Sequence, residues 1–175
     1  MGSVSASSNL AVIASYMVNN GSFEYDYDYH YYSSTYTNSC GNIGQVYYSL
    51  DDAKNRLKNG GTIYIDCFGF VRLACALKGE AIGGDNDYMR FGRSSGWTSF
   101  TGSSGTVYAY ALNNRMDLRP GDILVDNGTH VAIVYHVANN GVIYFWDCGS
   151  YKSGAVALRN TKTTTYYNWN FFYRF

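Results

Sequence analysis

Two short runs carry the residue types of a nucleophilic site: Asp66-Cys67-Phe68-Gly69-Phe70-Val71 and, further along, Thr129-His130-Val131-Ala132-Ile133-Val134. The first sets a cysteine at the start of an apolar segment of helix length. The second sets a histidine at the start of a strand-like segment. A free thiol has a pKa of about 8.5, and the thiolate is the reactive form. Unpaired N–H groups at a helix N-terminus favour that anion, and a nearby imidazole takes the proton. Cys67 and His130 together therefore point to cysteine-hydrolase chemistry. A lone Cys67 would read instead as a small buried hydrophobe; the pattern around His130 tips the balance.

The elements that must position these residues are legible around them. Ser8 and Asn9 are placed to cap a first helix with Leu10, Ile13, Ala14 and Met17 along one side, stopped at Asn19-Asn20-Gly21. Ser49-Leu50-Asp51-Asp52 starts a second helix, with Leu50, Ala53 and Leu57 as its apolar side and Gly60-Gly61 as its stop. Thr62 to Ile65 is a short extended lead-in. Cys67 to Lys78 is a helix broken only by Arg72 and Lys78, which predicts burial beneath a sheet. Residues 22–48 read as loop with short extended pieces. Residues 80–118 read as a long Gly/Ser-rich loop; such loops are often functional, which makes Trp97 a candidate substrate contact.

After Arg119-Pro120-Gly121 the pattern turns to strands: Asp122 to Val125, His130 to Val137, Val142 to Asp147, Ala155 to Leu158 and Asn168 to Phe175. Asn139-Asn140-Gly141 is a hairpin turn between two of them. Helices first and strands later predict an α+β fold, a buried Cys67 helix on a C-terminal antiparallel sheet of about five strands. The length suits one domain over residues 1–175, with 1–48 as a Tyr-rich extension of it.

In order, Asp66-Cys67-x-Gly69-Phe70-Val71, Arg119-Pro120-Gly121-Asp122-Ile123 and His130-Val131-Ala132-Ile133 resemble the NlpC/P60 cysteine peptidases. The resemblance covers roughly residues 49–150. It implies a papain-like fold and cleavage of peptide stems in bacterial cell walls, by a secreted, cell-wall, periplasmic or phage-associated enzyme that needs no metal or cofactor. The CHAP amidases share the His130-Val131-Ala132-Ile133-Val134 strand and the following Asn-Gly turn, and are the runner-up. The resemblance implies Cys67 as nucleophile, His130 as base and a third polar residue on the next strand. Asp147 falls there, on one strand face with Ile143 and Phe145. It also implies that Asp66 binds the substrate's free amino end, although a helix cap is an equal reading, and that an upstream tyrosine such as Tyr64 assists. Phe68 stands where the family has a substrate-touching serine, which changes the expected specificity. An acyltransferase, transglutaminase-like or deamidase activity, or a non-catalytic wall-binding module, fits the same residues.

Composition narrows the partners. Formal charge is zero at a sequence pI near 6.8, so no global field draws nucleic acid. No Lys or Arg precedes Lys54, while Glu24, Asp26, Asp28, Asp51 and Asp52 do, which predicts an acidic face. No 18-residue apolar stretch spans a membrane. Leu10 to Val18 lacks a preceding basic residue and reads as a helix rather than a signal core, so no signal peptide is legible. Cys40, Cys67, Cys75 and Cys148 lack zinc-site spacing. Tyrosine stands out at 19 residues, a supply of rigid amphipathic surface for glycan or peptide. Tyr25 to Tyr31 alternates, with Asp26, Asp28 and His30 on one face. An aromatic wall is expected there rather than a metal site, because ligands two apart on one strand need help from elsewhere. His136 lies about 20 Å along the strand from His130 and reads as a surface or packing residue.

Overall fold

The computed structural model describes residues 8–25, 36–37, 43–44, 50–80, 99–102, 105–126, 130–149 and 155–175. Helix α1 (Leu10–Asn20) begins where extended Asn9 accepts the Val12 N–H on its side chain at 3.0 Å. Leu10, Ile13, Ala14 and Met17 are buried, as the spacing predicts. Gly21 ends the helix, its N–H on the Met17 carbonyl at 2.8 Å. A Cβ on Gly21 would stand 2.7 Å from Leu57 Cδ2 of α2 (Leu50–Asn59). Leu57 is itself buried, so it has little room to yield. Gly21→Ala is therefore expected to cost about 1–3 kcal/mol, the range for overpacking, read as a lower midpoint in denaturant unfolding.

Strand β1 (Ser22–Tyr25) pairs in parallel with β4 (Thr62–Ile65); between them in the chain come α2 and the short antiparallel pair β2 (Tyr36–Thr37) and β3 (Ile43–Gly44). Helix α3 (Cys67–Lys78) follows β4 after one residue, Asp66. Ten of its twelve residues are buried, Arg72 included, which matches the nearly continuous apolar surface in the sequence. It stops at Gly79, whose φ of +87° suits glycine, with Glu80 N–H on the Cys75 carbonyl.

The main sheet is antiparallel throughout. It contains β5 (Ser99–Gly102), β6 (Gly105–Ala111), β7 (Ile123–Asp126), β8 (His130–Val137), β9 (Ile143–Cys148), β10 (Val156–Asn160) and β11 (Phe171–Tyr173), in the order β10-β9-β8-β7-β11-β6-β5. The chain is thus a mixed α+β fold with three helices among the described residues. Two expectations are corrected. Among the described residues the sheet has seven strands rather than about five, and the 80–118 stretch supplies the β5–β6 hairpin and a 3₁₀ turn at Arg115–Asp117 rather than loop alone. Val107 and Ala109 face the helices, while Tyr108 and Tyr110 are exposed. That alternation is short and set among Gly and Ser, and the partner that makes β6 a sheet strand is β11, at the far end of the chain.

The two sheet faces bury different sets of residues. Ile123, Val125, Val131 and Ile133 pack against α1 and α3 with Ile13, Met17, Phe70 and Leu73. Leu124, Ala132, Val134, Ile143 and Phe145 form the opposite layer with Leu118 and Trp169. Alternation along β8 and β9 assigns His130 and Asp147 to this second layer, and Val131 and Cys148 to the helix layer.

Candidate active site

Asp66 takes an extended conformation and accepts the Gly69 N–H on Oδ1 at 2.7 Å, while its carbonyl opens the helical ladder to Phe70 N–H. This cap fixes the first turn of α3 and holds Cys67 at the helix start. Cys67 is 5% exposed. Burial pushes its thiol well above the usual range, and the carboxylates of Asp66 and Asp147 push the same way. Hydrogen bonds from the backbone N–H groups of Val131 and Phe68 act in the other direction, favouring the thiolate. The sulfur thus meets β8 at the residue next to His130.

One consequence concerns Asp66 directly. Asn caps a helix about as well as Asp, so Asp66→Asn is expected to keep stability within about 0.5 kcal/mol while removing a charge that raises the Cys67 thiol. The thiol then ionises at lower pH, and iodoacetamide labels the Cys67 peptide faster at fixed pH, followed by mass spectrometry. Equal labelling rates in the two proteins would show that the sulfur does not feel this carboxylate. Asp66→Ala, which also loses the cap, is expected to cost about 1 kcal/mol.

Across the β8–β9 pair, His130 Nε2 hydrogen-bonds Asp147 Oδ1. Asp147 is fully buried, and its Oδ2 lies 3.3 Å from Arg159 Nε on β10. A buried carboxylate is tolerated where such partners surround it. The imidazole is stacked on Tyr167, with ring centroids 4.2 Å apart and planes 6° from parallel, and Trp169 lies against the same assembly at 6.0 Å from His130. Nε2 faces the carboxylate, which leaves Nδ1 as the ring nitrogen turned away from it.

Comparison with known proteins returns no matching family model, no matching curated protein and no matching solved structure. What the site can do is therefore read from its own groups. Asp66, Cys67, His130 and Asp147 all lie around the start of β8, with the sulfur against the Val131 N–H in the helix layer and the imidazole turned to Asp147 in the opposite layer. Phe68 lies in the core beside them, so its contribution at the sulfur is its backbone N–H. Tyr64 is exposed on β4, on the strand face opposite buried Ile63 and Ile65. His136 is at the other end of β8, past a bulge, exposed and tilted over Tyr144 at 6.2 Å. Trp97, Asp26, Asp28, His30 and Cys40 lie outside the described residues. Two cavities, of about 170 and 550 Å³, lie near Asn9 and Pro120; His136 lines the larger, and neither is lined by Asp66, Cys67, His130 or Asp147.

Arg159, Tyr167, Trp169 and the Val131 N–H were not singled out by sequence reasoning. Alternation offered a signal for two of them: Tyr167 and Trp169 are spaced by two just before the last strand. Arg159 becomes visible only with the register, which sets Ala157 opposite Asp147 and Arg159 one same-face step further along.

Proposed function

We propose that this chain is a cysteine hydrolase on a papain-like arrangement, cleaving amide bonds in the peptide part of bacterial peptidoglycan through a thiolate acyl-enzyme. The observation that carries the reading is a buried Asp147–His130 pair at the start of β8 beside a helix-capped thiol whose sulfur takes the N–H of Val131, the next residue of that strand. In this reading His130 Nδ1 takes the proton from Cys67 as the sulfur attacks the substrate carbonyl. The N–H of Cys67, at the open start of α3, stabilises the oxyanion. The imidazolium, held by Asp147 and faced by Tyr167, then protonates the leaving amine. Water attacks the thioester with the same ring as base, releasing a carboxylate and restoring the thiol. The NlpC/P60 resemblance of the motifs supplies the substrate class.

The burial of Cys67 and Phe68 gives weight to a second reading, transfer of the acyl group to an amine, because a site closed to bulk water slows hydrolysis of the thioester. Purified peptidoglycan is digested with wild type and Cys67→Ala, and soluble fragments are identified by mass spectrometry. Fragments released by wild type alone support the hydrolase, and their masses name the bond. Silence from both proteins on several wall chemotypes, with amine incorporation into a protein substrate by wild type alone, would favour the transferase.

A further inference from the structure

We infer that Arg159 is a positioning residue of this site: it holds the second oxygen of Asp147 so that the first faces His130 Nε2 and fixes the proton on that nitrogen. The inference rests on the catalytic reading for its kinetic consequence, but its structural consequence stands by itself. Asp147 is fully buried, and its two oxygens face different elements: Oδ1 toward His130 on β8 and Oδ2 toward Arg159 on β10. The register explains the reach. Ala157 is paired with Asp147, and Arg159 with Phe145, so Arg159 projects from the same face one step along and leans back toward the carboxylate.

A neutral imidazole gives a buried carboxylate a hydrogen bond but no opposite charge. Arg159 supplies a charge that does not titrate. Its Nε lies 3.3 Å from Oδ2, an ion pair whose cationic charge does not depend on the protonation state of His130. The attraction draws Oδ2 toward Arg159, which favours the rotation that turns Oδ1 to Nε2. Oδ1 remains an acceptor aimed at Nε2, and an acceptor there requires the N–H form of Nε2. Nδ1 is thereby left as the lone-pair nitrogen. Without Arg159 the carboxylate keeps its bond to the ring but loses this ion pair.

The test is proton and nitrogen NMR of the full-length protein, wild type, Arg159→Gln and Arg159→Lys, with steady-state kinetics alongside. Wild type is expected to show a downfield His130 Nε2–H resonance slow to exchange with water. Arg159→Gln is expected to broaden or lose it, and Arg159→Lys, which keeps the charge, to retain it in part. On a wall substrate, kcat is expected to fall by about 10- to 100-fold in Arg159→Gln with KM little changed, the range for partners that orient a functional imidazole at one remove. An unaltered resonance with unaltered kcat in Arg159→Gln overturns the inference. If wild type cleaves nothing, yet the resonance still follows Arg159, the catalytic reading fails while the positioning role stands. Should Arg159→Gln not fold, the Asp147→Asn/Arg159→Gln double variant decides. Refolding by the double variant, which lacks the buried charge, supports Arg159 as its counter-ion, whereas continued unfolding assigns Arg159 to packing and overturns the inference.

Discussion

Cys67→Ala is expected to leave the protein folded and to abolish amide-bond cleavage, lowering kcat/KM by about 10⁶-fold, the size seen when a covalent nucleophile is removed from an assembled site. The two halves of this expectation have different causes. The thiol is small and sits at the first position of α3, whose start is held by Asp66 and not by the sulfur. Deleting it is therefore expected to cost about 1 kcal/mol, measured by denaturant unfolding. The chemistry, in contrast, has no substitute among the described groups beside it. Cys75 is buried further along α3, and Cys148 faces the Ile65 carbonyl at 3.7 Å. Burial also pushes both of these thiols up. Cys67→Ser sharpens the experiment, since it keeps the volume and loses the acidity. A serine variant as active as wild type would remove the thiol from the mechanism.

How much of this was legible beforehand depends on the range of the signal. Helix α3 is written locally: a cap residue, an apolar run broken only by Arg72 and Lys78, and a glycine stop are all within fifteen positions. The β8–β9 hairpin was equally local, because alternation and Asn-Gly turn chemistry lie side by side. The α+β order followed from these. Strand β6 carries no comparable local signal, because its partner β11 is the last strand of the chain and its tyrosines face outward. The site shows the same division. Asp66, Cys67 and His130 stand in recognisable runs, and Asp147 followed from counting along one strand. Arg159 and Tyr167 belong to the site only through register and chain path, which no local window contains. Phe68 occupies the position of the serine in the resembled motif; its side chain packs in the core and its backbone N–H faces the sulfur, a placement that only the packed fold displays.

Asp147 carries the second large effect, and its two substitutions separate electrostatics from shape. Asp147→Asn keeps the volume, but its amide is free to present either a donor or the carbonyl to Nε2. A donor there requires the lone pair on Nε2 and moves the ring proton to Nδ1, the nitrogen the mechanism needs as a base. Activity is then expected to fall by about 10⁴-fold, the size known for neutralising the carboxylate of a nucleophile–histidine–acid site. Asp147→Ala removes the acceptor and leaves Arg159 without its carboxylate in a place where Asp147 had no exposure at all. Truncating one partner of a buried ion pair costs about 3–5 kcal/mol, so this variant is expected to unfold at distinctly lower denaturant than Asp147→Asn. Urea midpoints and kcat/KM measured on the same preparations check both statements. Asn and Ala variants with equal stability would mean that Arg159 finds solvent when the carboxylate is gone, and an Asn variant within tenfold of wild type would mean that His130 keeps its tautomer without Asp147.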